Sequence, residues 1–471
     1  MVPDSNTSER RPVLAFLTSH WLSMLGSALV TIAGCSWLFL VVLHAGGRTA
    51  NPYVGILIVF AIPAVLFAGL ILIPIGSWLS RRRIQAGLAQ APSRTAALRR
   101  LALFFVTMTV VNVVIASQVT YRAINHMESD QFCGQSCHVM KPQFTANRRS
   151  VHRSVECVEC HIVPGAAGFI EAKMNGTRQL FEVTFNDYPR PIPPGLQSIH
   201  LASSVETCEK CHSRAVDLGS PLRVISKFKD DEANTPIQTV LVMNVGGGRS
   251  GGIHGAHLGP GVQIRYRADS KRQTISSVEY SNAGTHETRT YAVPGNKVGG
   301  AQKFLMQCAD CHNRQGHGFE QPEDAVDGAI AAGQIPIGLP FAHKTSVQIL
   351  KDAPASGIEA AFTAFYQQKY PDIAAKRSTE IANAGKTVQS IYDRNVFPDL
   401  GVKWGVYPNN LGHADNAGCF RCHDESHATP QKKTISQDCS LCHNPLAVEE
   451  TNPAILKSLG LDQKLSQLLK Q

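Results

Sequence analysis

The sequence is poor in charge, and the shortage lies at one end. Of its 471 residues, 17% are charged, whereas about 25% is usual for a soluble protein. Residues 1–121 contain no lysine and only two acidic residues, Asp4 and Glu9, against nine arginines. The other 350 residues are close to neutral, with 36 basic and 34 acidic side chains. This distribution argues against a basic nucleic-acid-binding domain, so nucleic acid is not an expected partner.

Three stretches without Asp, Glu, Lys or Arg account for the shortage of charge: residues 13–43, 53–79 and 101–121. Each reaches the length of about 20 residues that an α-helix needs to cross a membrane. The first is too long for the apolar core of a cleaved signal peptide, about 7 to 15 residues. The sequence therefore predicts three transmembrane helices and the lipid bilayer as a partner.

The arginines predict the orientation of these helices. Six of them lie between the second and third stretches, whereas the loop between the first two carries only Arg48. Because positive loops stay in the cytoplasm, the third helix should deliver everything from Arg122 onward to the outer face. We expect a protein of the bacterial cytoplasmic (inner) membrane with the rest of its chain in the periplasm.

Twelve of the 13 cysteines form six close pairs, each followed at once by histidine. We number these motifs one to six in chain order. Motif one is Cys133, Cys137 and His138; two is Cys157, Cys160 and His161; three is Cys208, Cys211 and His212; four is Cys308, Cys311 and His312; five is Cys419, Cys422 and His423; six is Cys439, Cys442 and His443.

The pattern C-x-x-C-H is typical of covalent c-type haem attachment. Two thiols bind the haem covalently, and the adjacent histidine becomes the proximal ligand of the iron. A zinc ribbon is the main alternative, because the four cysteines of motifs five and six have the spacing of such a site. Histidine after all six pairs favours haem, so we predict six covalently bound c-type haems. Motif one has three residues between its cysteines, and we expect Gly134 to accommodate the additional residue.

Six haems need up to six further axial ligands, and the chain contains enough histidines to supply them. His254 and His257 compete as ligands of one haem, and His254 is the predicted ligand. Met140 follows motif one and could provide a thioether ligand, or could be an ordinary core residue. The predicted distal ligands are Met140, His152, His200, His254, His317, His413 and His427.

The remaining sequence predicts a mostly α-helical, irregular, haem-packed domain with a small β insertion. Residues 239–245, 262–268 and 288–293 are rich in β-branched residues and predict antiparallel strands. Residues 323–392 have helical periodicity, interrupted by prolines. The predicted parts are an anchor (1–121), a domain with motifs one to three (122–215), a β-rich insertion (216–307) and a helical domain with motifs four to six (308–471).

The sequence resembles the NapC/NirT family of membrane-anchored multihaem cytochromes c. The resemblance rests on a transmembrane helix that leads into FCGQSCHVMKPQF, followed by SVHRSVECVECHIVPGA, AKMNGTRQ and ETCEKCH, within about residues 101–215. The segments DDEANTP, NVFPDLGVKWGVYPNNLGH and GCFRCHDESH extend it to the long inner-membrane cytochromes of metal-respiring bacteria. It implies a quinol dehydrogenase that oxidises membrane menaquinol and passes electrons to a periplasmic cytochrome or reductase.

The resemblance also implies that Met140 can ligate the first iron and that Lys173 lies near the quinol pocket. Arg178 and His126 are further candidates for a group that hydrogen-bonds the quinol. Two other functions stay open: a terminal reductase of a small oxyanion, which needs an open iron site, and a haem-relay subunit of a larger complex. The sequence has no C-x-x-C-K motif that would favour the reductase.

Overall fold

The computed structural model describes residues 20–45, 61–88, 93–192, 203, 207–295, 301–352 and 354–461. They belong to two compact units, divided between Ser136 and Cys137. The boundaries predicted at residues 121, 215 and 307 stay predictions. We describe each unit by itself.

The first unit consists mainly of three helices, α1 (Trp21–Ala45), α2 (Ile62–Gln85) and α3 (Arg94–Glu128). Two of them, α2 and α3 from Thr95 onward, are long and apolar enough to cross a membrane. In the most apolar part of each, 11% of the α2 residues and none of the α3 residues are buried in the protein. A soluble core helix would be covered, so these apolar surfaces suit lipid. A third span at α1 stays a prediction.

Small residues let α1 and α2 approach closely. A Cβ atom on Gly26 would lie 2.6 Å from the carbonyl oxygen of Gly69, and one on Gly76 would lie 2.3 Å from the backbone nitrogen of Ser23. The Ser23 residue is fully buried. Close backbone contact through glycine and serine is typical of helices that pack inside a membrane.

The second unit contains two antiparallel sheets among its described residues. The first has the order β1-β2-β7 and the second β5-β4-β3-β6. The strands are β1 (Leu222–Phe228), β2 (Pro236–Met243), β3 (Val262–Ala268), β4 (Ile275–Asn282), β5 (Glu287–Ala292), β6 (Gln302–Leu305) and β7 (His443–Glu450).

The three predicted strands overlap β2, β3 and β5, but the sheets are not confined to the predicted insertion. Strand β7 begins at His443 of motif six and pairs with β2, where Val240 is opposite Ala447. The prediction missed this strand because β7 contains two glutamates and a proline, and its pairing depends on a residue contact of very long range.

The helices of the second unit include two motif segments, and five of the others form an apolar core. The bounds are α4 (Lys141–Asn147), α5 (Cys157–His161), α6 (Ala166–Thr184), α7 (Gly252–Leu258), α8 (Cys308–Cys311), α9 (Pro322–Ala331), α10 (Ala342–Asp352), α11 (Ile358–Lys369), α12 (Pro371–Lys376), α13 (Ser378–Asn395) and α14 (Ala454–Ser458). Helices α9 to α13 bury Ile335, Leu339, Phe362, Tyr366 and Ile391 in one cluster.

The turn between β1 and β2 carries the sequence DDEANTP and inserts into this helical core. The Asn234 amide donates to the carbonyl oxygens of Ile337 and Leu339, each at 2.8 Å, and its side-chain oxygen accepts from the His343 backbone N–H. Asp230 lies 2.7 Å from Nδ1 of His343. Packing thus explains the buried Asn234 in this turn, since both its amide nitrogen and its amide oxygen have partners.

Candidate functional site

The motifs are single turns that bring a histidine back to its first cysteine. In motifs three, four and five the histidine N–H donates to the carbonyl oxygen of the first cysteine, at 2.9, 2.8 and 3.1 Å. Motif two forms the short helix α5, and motif six begins with a 3₁₀ turn. One turn therefore holds both thiols and an imidazole together, as covalent attachment and ligation of one haem require.

Motif one is shaped differently, as its longer spacing predicts. Residues Phe132–Ser136 form a π-helical turn in which Gly134 is buried. A π turn contains one residue more than an α turn, so it takes up the additional residue. His138 and Met140 follow in a 3₁₀ turn.

Five motif histidines each face a histidine from elsewhere in the chain. The distances between ring centroids fall between 5.9 and 6.1 Å in all five pairs. The pairs are His161 with His317, His212 with His152, His312 with His254, His423 with His257, and His443 with His413.

This spacing fits a metal ion between the two rings. Metal–imidazole bonds are about 2 Å long, and a ring nitrogen lies roughly 1 Å from its centroid, so two imidazoles on opposite sides of one iron have centroids about 6 Å apart. Rings in direct van der Waals stacking lie closer, as His413 and Phe420 do at 4.3 Å. The donor set and the spacing fit six-coordinate haem irons.

Hydrogen bonds orient several of these rings. Nδ1 of His257 lies 2.7 Å from the carbonyl oxygen of Ile253, and Nδ1 of His423 lies 2.7 Å from that of Ser436. Because a carbonyl oxygen only accepts, Nδ1 carries the hydrogen and Nε2 keeps the lone pair that binds a metal.

Burial keeps several of the paired imidazoles neutral. It lowers the pKa of His161, His257 and His312, and neighbouring histidines lower the pKa of the last two further. For His317, burial, His161 and Arg314 together lower the pKa to about 4. A neutral imidazole is the form that ligates iron.

The predicted distal ligands have different positions in the structure. His152, His254, His317 and His413 each face a motif histidine. His200 lies outside the described residues. Met140 is half-buried directly after motif one.

Three histidines have surroundings that differ from those expected. His427, a predicted distal ligand, is buried, with Nδ1 2.8 Å from Asp424 and Nε2 3.2 Å from the carbonyl oxygen of Ile275, so both of its ring nitrogens have protein partners. His254 and His257 were expected to compete for one haem, but each faces the histidine of a different motif.

The zinc alternative has no support in the described part of the chain. No group of three or more His, Cys, Asp and Glu side chains there is arranged to hold a metal ion. Instead, His423 and His443 face His257 and His413.

The quinol-site candidates lie on α3 and α6. His126 is in the last turn of α3, with its ring 5.6 Å from that of Phe132. On α6, Nζ of Lys173 lies 4.8 Å from the ring centroid of Phe169, and Arg178 forms an ion pair with Glu182 at 3.2 Å.

One exposed side of α6 is apolar. Ile170, Met174 and Phe181 lie on one side of this helix, Phe185 follows at its end, and all four are at least 60% exposed. Lys173 and Arg178 flank the stripe, given 100° per residue. A helix with an exposed apolar stripe and basic residues beside it is typical of a membrane interface.

Comparisons with known proteins agree with these features. Residues 95–191 match the model of the NapC/NirT cytochrome c family, N-terminal region. The chain is 34% identical over 457 residues to the cytochrome c-type protein ImcH of Geobacter sulfurreducens. The aligned region covers 92% of this chain and 89% of the relative. No solved structure matches the chain.

Proposed function

The chain belongs to the NapC/NirT cytochrome c family, a family of membrane-anchored, haem-binding electron-transport proteins, and from this premise we propose that it oxidises membrane quinol and delivers the electrons to a periplasmic acceptor. Six c-type haems, when bound at motifs one to six, supply one-electron carriers. The chain itself must hold each iron, bind the quinol and accept or release its two protons.

The five histidine pairs carry the proposal. Each pair offers two imidazoles to one iron, which leaves no position for a substrate at motifs two to six. A terminal reductase needs such an open position, so the pairs favour electron transfer over reduction of a small oxyanion. At motif one, His138 and Met140 are the proposed ligands.

The apolar stripe of α6 supports a lipid-soluble substrate. A quinol that reaches Lys173 along Ile170 and Met174 would stay in contact with apolar surface, and the lysine ammonium could hydrogen-bond its hydroxyl oxygen. Arg178, which forms an ion pair with Glu182, is the weaker candidate because the family resemblance points to Lys173.

The quinol site is assigned to motif one. Only four residues separate the end of α3 at Glu128 from Cys133, so no other motif is closer to the membrane anchor along the chain. His126 in the last turn of α3 is a further candidate to accept a proton there.

The test is reduction of the purified protein by a menaquinol analogue. Lys173→Leu and Met140→Leu should each slow this reduction at least tenfold, because the first removes a partner of the quinol and the second an iron ligand. Dithionite should still reduce all the haem in both variants. Lys369→Leu, at the exposed end of α11, is the matched control and should keep the wild-type rate.

Two results would contradict the proposal in different ways. Wild-type quinol kinetics in both variants would move the quinol site away from Lys173 and motif one. No quinol oxidation by the intact protein alone would leave the haem-relay function, in which another subunit supplies the electrons.

A further inference from the structure

The short helix α7 contacts two motifs at once. Its seven residues, Gly252–Leu258, contain His254 and His257, one turn apart. Residues three apart on a helix leave it on the same side. The ring of His254 is 6.1 Å from that of His312 in motif four, and the ring of His257 is 5.9 Å from that of His423 in motif five.

The two motifs are also joined directly. Arg421, between the cysteines of motif five, donates to the carbonyl oxygen of Asp310 at 2.8 Å and to that of Arg272 at 2.7 Å. Asp310, between the cysteines of motif four, is 3% exposed and accepts from Tyr266 and Arg272. Hydrogen bonds that involve charged groups are among the stronger ones in proteins.

The backbone before α7 favours this placement. Positive φ angles recur in this segment, and glycine adopts them without the steric clash that a Cβ atom would cause. The residues are Gly246, Gly247, Gly248, Gly251 and Gly252. The backbone N–H groups of Ile253 and His254 donate to the carbonyl oxygens of Asn244 and Val245 at 2.9 Å. These bonds tie α7 to the two residues that follow β2, and they fix the backbone position from which both imidazoles extend.

We propose that α7 is a shared ligand helix: His254 binds the haem iron of motif four and His257 that of motif five, so that one helix and the Arg421 contacts join these two haems into one redox unit. The proposal rests on haem attachment at these motifs, and it is independent of where quinol is oxidised. It assigns His257 as a ligand of its own rather than as a competitor of His254.

The experiment measures spin state in the intact, fully haem-loaded protein. In His254→Gly and in His257→Gly, one haem of six should lose an axial ligand, and the high-spin EPR signal should integrate to one haem per molecule. The double variant should give two. Added imidazole should restore the low-spin signal in all three, which shows that the fold and the site persist.

The control is His286→Gly, which removes an exposed histidine from the turn between β4 and β5 and should produce no high-spin haem. A second variant, His257→Met, should stay low-spin but gain the near-infrared band of methionine-ligated haem. A double variant with only one high-spin haem, or a low-spin His257→Gly protein that still carries six haems, would overturn the proposal.

Discussion

At the scale of single residues, distance along the chain did not separate histidines with different surroundings. His413 lies six residues before Cys419 and His427 four residues after His423, so both were equal candidates. His413 faces His443, whereas His427 bonds to Asp424 and to Ile275, which is 152 residues away. That contact forms only when β4 packs beside motif five, and no local sequence pattern predicts it.

This contrast predicts opposite results for two variants. Replacing His413 by Gly should convert one haem to high spin with little loss of stability. Replacing His427 by Gln should leave every haem low-spin but lower the free energy of unfolding by about 2 kcal/mol. The reason is that the buried carbonyl oxygen of Ile275 loses its hydrogen-bond partner. EPR and thermal unfolding of the same samples measure both effects. A high-spin signal in His427→Gln would contradict the structural role.

His343 predicts a pH-dependent contribution to stability. Burial lowers the pKa of this histidine, but its contacts with Asp327 and Asp230 outweigh burial and raise the pKa above the ordinary value. The folded state therefore binds the proton more tightly than the unfolded state. The stabilisation is complete below the unfolded pKa, about 6.5, and is lost as pH rises through the folded pKa.

The measurement compares melting temperatures of the wild type and His343→Gln from pH 5.5 to 8.5. The loss of stability in the variant should be largest at pH 5.5, at about 3 kcal/mol, and should shrink toward pH 8.5. His286→Gln, at the exposed turn, should show no such trend. A difference that is constant with pH would mean that the pKa of His343 is the same in the folded and unfolded states.

At the scale of elements, the sequence was most informative where structure is local. The cysteine motifs, the apolar helices and the proline-bounded helices α9 to α13 all follow from short-range patterns. The sheet β1-β2-β7 does not, because β7 begins at His443 of motif six and pairs with a strand about 200 residues earlier in the chain. Local sequence patterns also do not predict which histidine faces each motif histidine, since pairs such as His161 with His317 depend on the final packing of several elements.

The contact between α1 and α2 gives a prediction about the membrane anchor. Gly76→Leu would force its side chain into the backbone of Ser23, so it should destabilise the anchor by about 3 kcal/mol. Gly34→Leu is the matched control, because no atom of the residues that the structure describes lies within 4 Å of its Cβ position. Both changes raise helix propensity equally.

Thermal unfolding of the detergent-solubilised protein, followed by size exclusion, separates the two variants. Gly76→Leu should lose the folded peak at a lower temperature than the wild type, and Gly34→Leu should not. Equal behaviour of the two variants would mean that α1 and α2 do not rely on this contact.

At the scale of the whole molecule, two pairs of successive motifs in the second unit are in direct contact. Lys210 of motif three forms an ion pair with Glu159 of motif two at 3.1 Å, and Arg421 of motif five bonds to Asp310 of motif four. These bonds hold successive motifs together although long segments of chain separate some of them.

Haem content and orientation give the prediction at this scale. Intact-protein mass spectrometry should show the mass of the chain plus six haems, because six motifs carry two cysteines each. A membrane-impermeant reagent added to spheroplasts should label lysines after residue 122, as the arginine-rich loop predicts a periplasmic location. Fewer than six haems, or labelling only after lysis, would contradict these two predictions separately.

The pairing of His161 with His317 imposes an order on biosynthesis. His317 follows His161 by more than 150 residues, and at about 5 to 20 residues per second it leaves the ribosome roughly 8 to 30 s later. If a haem were attached to Cys157 and Cys160 during that interval, His161 would be available to it before His317 was. The early half of the chain would therefore need the late half to complete this site, and a prematurely terminated chain would lack the second imidazole.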